Sequence, residues 1–73
     1  MGYYPRLRDL REDQDLTQRQ IAAYLGIPQP QYCRYEQGLR DIPLDLLIDL
    51  ADFYRTSTDY ILGRTNNPAP PQG

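Results

Sequence analysis

The sequence predicts an all-α fold, a bundle of five short helices in one domain. Apolar residues recur three or four positions apart, and no stretch alternates apolar and polar residues for long enough to indicate a strand. Prolines and glycines stand where helices typically begin and end. At 73 residues, the chain is long enough for one hydrophobic core.

The first two predicted helices have clear boundaries. Pro5 suits the first turn of helix 1, which we expect to end near Gln14. Helix 2 begins after Thr17, because Thr17 and Gln20 have the types and spacing of a capping box. Gly26 supplies the left-handed residue that ends this helix.

The other three helices are marked by similar signals. Helix 3 is expected over about residues 29–37, and Pro43 opens helix 4. Helix 5 follows Ser57 or Thr58 and ends before Gly63. The pattern as a whole predicts short helices joined by tight turns.

The start of helix 3 has two interpretations. Pro28 and Pro30 flank Gln29, and a residue that precedes a proline is disfavoured in α geometry. The helix can therefore include Gln29 or begin at Pro30. Tyr32 and Tyr35, three residues apart, are expected to face the core and not to stack on nucleic-acid bases.

Composition narrows the classes of function. With one cysteine and no histidine, the sequence predicts no internal disulfide, no metal site, no cofactor and no enzymatic activity. It also contains no signal peptide and no apolar run that could span a membrane, so we expect a cytoplasmic protein. No site for a small-molecule ligand is evident.

The charges are distributed unevenly along the chain. The net charge is −2, but residues 16–40 hold three arginines against one glutamate, a balance of +2. Residues 41–60 hold five aspartates against one arginine, a balance of −4. The basic part could meet nucleic acid while the acidic part faces away from it.

Two parts of the chain differ in composition. Residues 1–64 contain the predicted helices and form the expected domain. Residues 65–73 read TNNPAPPQG and include no large apolar side chain, so we expect a disordered C-terminal tail.

Four spaced motifs identify a family resemblance. They are LRDLRE at 7–12, LTQRQIAAYLGI at 16–27, YCRYEQG at 32–38 and LADFYRTSTDYILG at 50–63. Together they resemble the phage repressor and Cro-like (xenobiotic-response-element type) helix-turn-helix family over about residues 5–64. The resemblance implies a lambda-repressor-like five-helix bundle that binds double-stranded DNA at a palindromic operator, as a homodimer and most often as a repressor.

The resemblance also implies a set of DNA-binding residues. Gln18 would bind a phosphate and brace Gln29, and the Gln29 amide would pair with adenine in the major groove. Arg34 would reach a guanine or a phosphate, with an ion pair to Glu36 or Asp41 as the alternative. The full expected set is Gln18, Gln29, Pro30, Gln31, Arg34, Gln37 and Arg40.

Two further sets follow from the same resemblance. Arg11 and Glu36 are expected to form an ion pair that locks helix 1 to helix 3. A dimer surface is expected near the C-terminal end, together with residues 42–46, and its members are Tyr54, Thr58, Tyr60 and Ile61. We interpret Cys33 as an ordinary surface residue, not as a redox sensor, because no second cysteine can resolve an oxidised one.

The sequence departs from the family pattern at two helix ends. Asp15 and Arg55 stand where glycine is common, and a left-handed Arg55 should cost about 1 kcal/mol. One alternative function also remains open. The acidic helix 4 would suit a protein-interaction module on the same fold, such as an antitoxin or adaptor, with weak DNA binding.

Overall fold

A computed structural model describes residues 3–70 of the chain, and all regular elements in this range are helices. They are α1 (Pro5–Asp13), α2 (Gln18–Leu25), α3 (Gln29–Gln37), α4 (Leu44–Tyr54) and α5 (Thr58–Leu62). The predicted all-α, five-helix fold is therefore confirmed. None of these helices is long and apolar enough to cross a membrane.

The core receives side chains from every helix. Its largest fully buried members are Leu7, Ile21, Tyr32, Leu50 and Ile61, one from each helix in chain order. Tyr35 is also buried, so both α3 tyrosines face inward as predicted. Burying one stripe per helix leaves the opposite face of each helix free for other contacts.

Each helix in the described range ends in the same local hydrogen-bonding motif. A residue with left-handed φ is followed by one whose N–H donates to the carbonyl five residues back. Examples are Ile27 to Ala22 at 3.0 Å and Thr56 to Ala51 at 2.9 Å. The left-handed residues are Asp15, Gly26, Gly38, Arg55 and Gly63. The two expected departures from glycine, Asp15 and Arg55, therefore do adopt this conformation, with φ of 56° and 54°.

Helix α3 begins at Gln29, which decides between the two interpretations of its start. Pro28 is the N-cap in extended geometry, and its carbonyl accepts hydrogen bonds from the N–H groups of Gln31 and Tyr32. Pro30 occupies the second helical position, where a missing N–H costs no intrahelical bond. Gln29 is thus part of the helix.

Arg6 joins α1 to α5 and to the segment that follows α5. Its guanidinium lies over the Tyr60 ring, 4.1 Å from the ring centroid, and donates to the Tyr60 carbonyl at 2.8 Å. It also donates to the Thr65 carbonyl at 2.5 Å and to Asn66 Oδ1 at 2.7 Å. The domain boundary at residue 64 and the disorder expected for residues 65–73 stay predictions. Residues 1–2 and 71–73 lie outside the described range.

Candidate nucleic-acid interface

Helices α2 and α3 pack against each other across a tight turn. The capping box predicted at the start of α2 is present: Thr17 Oγ1 accepts from the Gln20 N–H, and Gln20 Oε1 accepts from the Thr17 N–H. Gly26 takes a φ of 72° and ends the helix. Ala22 is buried inside α2, and its small side chain allows close packing. The turn therefore fixes α3 on the surface of the bundle.

Helix α3 has a buried face and an exposed face. Tyr32, Tyr35 and Glu36 anchor it to the core. Gln31 and Cys33 are half-buried at its flanks. Four expected DNA-binding residues of this helix are exposed, namely Gln29, Pro30, Arg34 and Gln37. These four side chains project from a helix that large buried side chains anchor to the core.

A two-point ion pair joins α1 to the buried face of α3. Arg11 Nε donates to Glu36 Oε2 at 2.7 Å, and Arg11 Nη2 donates to Glu36 Oε1 at 3.2 Å. The side chains are 13% and 3% exposed. Arg11 Nη1 also donates to the Leu16 carbonyl at 2.8 Å, in the turn after α1. The structure thus brings together the two residues that the resemblance pairs.

Gln18 binds the same carboxylate. Its Nε2 donates to Glu36 Oε1 at 3.2 Å, which ties the first residue of α2 to α3. The family resemblance implies that Gln18 braces Gln29, whereas within residues 3–70 the Gln18 amide bonds to Glu36. A buried carboxylate is the stronger acceptor, because it is charged and needs partners once it has lost water.

Burial and this hydrogen bonding shift the pKa values around Glu36. Burial alone would raise the Glu36 pKa, but the bonds from Arg11 and its neighbours outweigh it and hold the pKa below its usual value. The bond to Glu36 in turn raises the pKa of Arg11. The pKa values of Tyr32 and Tyr54 are both raised, mainly by burial and secondly by the nearby Glu36 carboxylate. Glu36 therefore stays ionised beneath α3, and both phenols stay neutral.

The exposed polar side chains of the interface are available to bind a ligand. In the part of the chain that the structure describes, the side chains of Gln29, Arg34, Gln37 and Arg40 make no hydrogen bond or ion pair. Glu36, which could have neutralised Arg34, is engaged with Arg11. Arg40 lies exposed just after α3. This set can bond to an external ligand without first breaking an internal contact.

Contacts of Gln31 and Arg6 were also not predicted from the sequence. Gln31 Nε2 donates to the Tyr35 hydroxyl at 2.8 Å, one turn further along α3. The spacing of four residues was available as a signal, but Tyr35 was assigned only to the core. The Arg6 contacts span more than fifty residues, and no local pattern marks them.

The four residues expected at a dimer surface differ in their exposure in the protomer. Tyr54 and Ile61 belong to the core of the protomer, with exposed fractions of 7% and 1%, and offer little area to a second copy. Their helical spacing faces them inward together with Leu50. Thr58 and Tyr60 are partly exposed, and Leu44, in the expected 42–46 region, is exposed.

Comparison with known proteins adds to this geometry. A model of the helix-turn-helix family matches residues 7–61, which is most of the chain. The HTH-type transcriptional regulator YobD of Bacillus subtilis (strain 168), itself uncharacterized, is 46% identical over 68 residues. That alignment covers 93% of this chain and 61% of the relative. No solved structure matches the chain.

Two further relatives have named regulatory roles. The HTH-type transcriptional regulator ImmR of the same strain is 37% identical over 64 residues, covering 88% of this chain and 50% of the relative. The cryptic phage CTXphi transcriptional repressor RstR of Vibrio cholerae is 37% identical over 49 residues, which covers 67% of this chain and 44% of the relative. The chain thus spans about half the length of the curated relatives it matches.

Proposed function

The chain belongs to the helix-turn-helix family, a class of non-enzymatic DNA-binding regulators, and on this premise we propose that it is a sequence-specific transcriptional regulator. In this proposal α3 enters the major groove of double-stranded DNA. The observation that carries the proposal is the exposed face of α3, where the side chains of Gln29 and Arg34 make no hydrogen bond or ion pair within the described residues. Buried tyrosines on the opposite face anchor the helix to the core. A rigid helix with free polar side chains suits direct reading of base edges.

The side chains divide into base contacts and phosphate contacts. The Gln29 amide suits adenine N6 and N7, Arg34 suits a guanine or a phosphate, and the Pro30 ring can pack on a thymine methyl. The first turn of α2 also keeps backbone N–H groups that have no intrahelical partner, which suits a phosphate. The residues proposed to contact the backbone are Gln18, Gln37 and Arg40.

We propose that the protein acts as a homodimer on a palindromic operator. One protomer carries few exposed cations on this face, so two copies are needed to neutralise enough phosphates for tight binding. A two-fold axis would set the two α3 helices about 34–36 Å apart, in successive major grooves. Leu44, 68% exposed, supports a contact between copies that also includes Thr58 and Tyr60. The name of the Vibrio cholerae relative supports repression as the outcome.

Selection of bound duplexes from a random pool tests the proposal most directly. We expect a palindromic consensus, with affinity that falls as salt rises because phosphate contacts release counterions. Arg34→Ala should weaken binding of the selected duplex by about 5- to 150-fold, the range given by about 1–3 kcal/mol. Arg8→Ala removes the same charge from an exposed position of α1 and is the matched control.

Three results would contradict these statements. Failure to enrich any duplex would overturn the DNA-reading function. Equal losses for Arg34→Ala and Arg8→Ala would leave only a general effect of net charge. A sedimentation coefficient of a monomer, both with and without the selected duplex, would overturn the homodimer.

A protein-interaction role is the second candidate, and the exposed face of α4 favours it. Leu44 and Ile48 are exposed there beside Asp45, Asp49 and Asp52. An apolar strip with acidic neighbours is typical of a surface that binds a basic partner. This candidate predicts weak DNA binding without sequence preference, so the same selection separates the two.

A further inference from the structure

We infer that Tyr35 is a positioning residue for DNA reading, and that it holds Gln31 so that this side chain selects a base with an exocyclic amino group. The inference rests on the proposed function. It starts from the 2.8 Å hydrogen bond between Gln31 Nε2 and the Tyr35 hydroxyl on α3. Besides packing in the core, Tyr35 thus presents its hydroxyl to a side chain of the proposed interface.

The bond joins a fixed group to a movable one. The Tyr35 ring is buried, with 6% of its surface exposed, so its hydroxyl occupies one place at the edge of the core. Gln31 is half-buried one turn before it, on the same side of the helix. Gln29 differs, because it is exposed and makes no side-chain hydrogen bond within the described residues. Gln31 therefore has a set orientation before DNA arrives, whereas Gln29 must acquire one.

The direction of the bond determines what Gln31 can recognise. One of the two N–H bonds of the amide is used by the tyrosine oxygen. This bond fixes the amide plane, so the carbonyl oxygen Oε1 and the second N–H each keep a set place. In the major groove, adenine N6 and cytosine N4 donate hydrogen bonds, whereas guanine O6 and thymine O4 accept them. Where this fixed carbonyl meets a base, it accepts from adenine or cytosine and opposes guanine or thymine on the contacted strand.

Removal of the hydroxyl should abolish this selection without removing the ring. In Tyr35→Phe the Gln31 amide can rotate, so either its N–H₂ or its carbonyl can face the base. The core keeps the same aromatic ring in the same place. The expected effect is loss of preference at one base pair of each half-site, with the rest of the consensus retained.

The experiment is parallel selection from a random duplex pool with wild type, Tyr35→Phe and Tyr54→Phe. Tyr54 is the matched control, because its buried hydroxyl has no hydrogen-bonding partner among residues 3–70 and lies on α4. We expect wild type and Tyr54→Phe to share one position per half-site where adenine or cytosine is preferred on one strand by fivefold or more. That preference should fall to less than twofold in Tyr35→Phe.

A second pair of variants keeps the inference testable if Tyr35→Phe fails to fold. Gln31→Glu retains only acceptor atoms, so it should keep the preference for amino-bearing bases while binding more weakly beside phosphates. Gln31→Met has no amide and should lose that preference. Both changes are at a half-buried side chain on the flank of α3.

The possible outcomes distinguish a failure of the role inferred for Tyr35 from a failure of the proposed DNA-reading function. If wild type enriches no sequence, the proposed DNA-reading function fails and the inference fails with it. If wild type gives a consensus that Tyr35→Phe reproduces in full, or that Gln31→Met reproduces in full, the function stands and the role of Tyr35 is refuted. A uniform loss of affinity in Tyr35→Phe, with base preferences unchanged, also refutes it.

Discussion

Arg11 and Glu36 are joined by two hydrogen bonds, Nε to Oε2 at 2.7 Å and Nη2 to Oε1 at 3.2 Å, although 25 residues separate them in the sequence. The two partners differ in their access to water, since the arginine side chain is 13% exposed and the glutamate side chain 3%. Gln18 also bonds to the glutamate. The pair therefore sets the position of α3 relative to both α1 and α2.

The difference in burial predicts unequal costs for removal of the two partners. Arg11→Ala leaves a carboxylate that cannot reach water, so it should lower the free energy of unfolding by about 3 kcal/mol or more. Glu36→Ala leaves a longer, more exposed arginine that can turn outward, and it should cost less. Urea unfolding at pH 7 measures both values. Two variants indistinguishable from wild type would contradict the structural role of the pair.

The lowered pKa of Glu36 predicts a specific dependence of stability on acid. Because the folded-state pKa lies below the ordinary value of 4.5, the folded state binds fewer protons than the unfolded state in this range. The contribution of Glu36 is thus complete above about pH 4.5 and is lost as the pH falls through the folded-state pKa. We expect the difference in free energy of unfolding between wild type and Glu36→Gln to narrow in urea titrations as the pH falls below about 4.5. A difference in free energy of unfolding that does not change with pH would contradict the role of the lowered Glu36 pKa.

The left-handed Arg55 predicts a stabilising substitution. Its φ of 54° is unfavourable for a residue with a Cβ, so Arg55→Gly should raise the free energy of unfolding by up to about 1 kcal/mol. Gly26→Ala is the reverse control, because a Cβ there has open space around it and only the backbone conformation is penalised. Thermal unfolding should move in opposite directions for the two variants. A shift in the same direction for both would refute the backbone argument.

The buried hydroxyl of Thr56 predicts another stabilising change. Thr56 Oγ1 has no hydrogen-bonding partner in the described part of the chain, and the residue follows the left-handed Arg55 at a position that commonly packs an apolar side chain. Thr56→Val should therefore raise the free energy of unfolding by about 1 kcal/mol. Thr17→Val is the contrasting control, since the Thr17 hydroxyl caps α2 and its loss should cost about 1 kcal/mol. If both variants changed the free energy of unfolding in the same direction, the environment of the hydroxyl would not be the cause.

The helices were predictable because their boundaries are set by local chemistry. The capping box of Thr17 and Gln20 and the left-handed Gly26 depend on residues within a few positions of each other. The start of α3 has two interpretations in the sequence for the same reason. Local preference disfavours Gln29 before Pro30, and the hydrogen bonds accepted by the Pro28 carbonyl overcome it.

The contacts that order the site were less accessible from the sequence. The partner of Gln18 could not be inferred, because the choice between Gln29 and Glu36 depends on which acceptor is buried within reach. Sequence alone also does not say whether an apolar side chain such as Tyr54 or Ile61 faces the core of its own protomer or a second copy, and in the structure both lie in the core. Arg6 joins groups 54 to 60 residues apart, which no spacing rule anticipates.

The repeated motif at the helix ends has a consequence for the speed of folding. Every helix from α1 to α5 ends in hydrogen bonds between residues no more than five apart, so these ends can form before the bundle assembles. Chains dominated by short-range contacts fold within microseconds to milliseconds. The Arg6 bonds enclose nearly the whole chain and should form after the rate-limiting barrier. In stopped-flow or temperature-jump relaxation, Arg6→Ala should therefore accelerate unfolding and leave the folding rate almost unchanged.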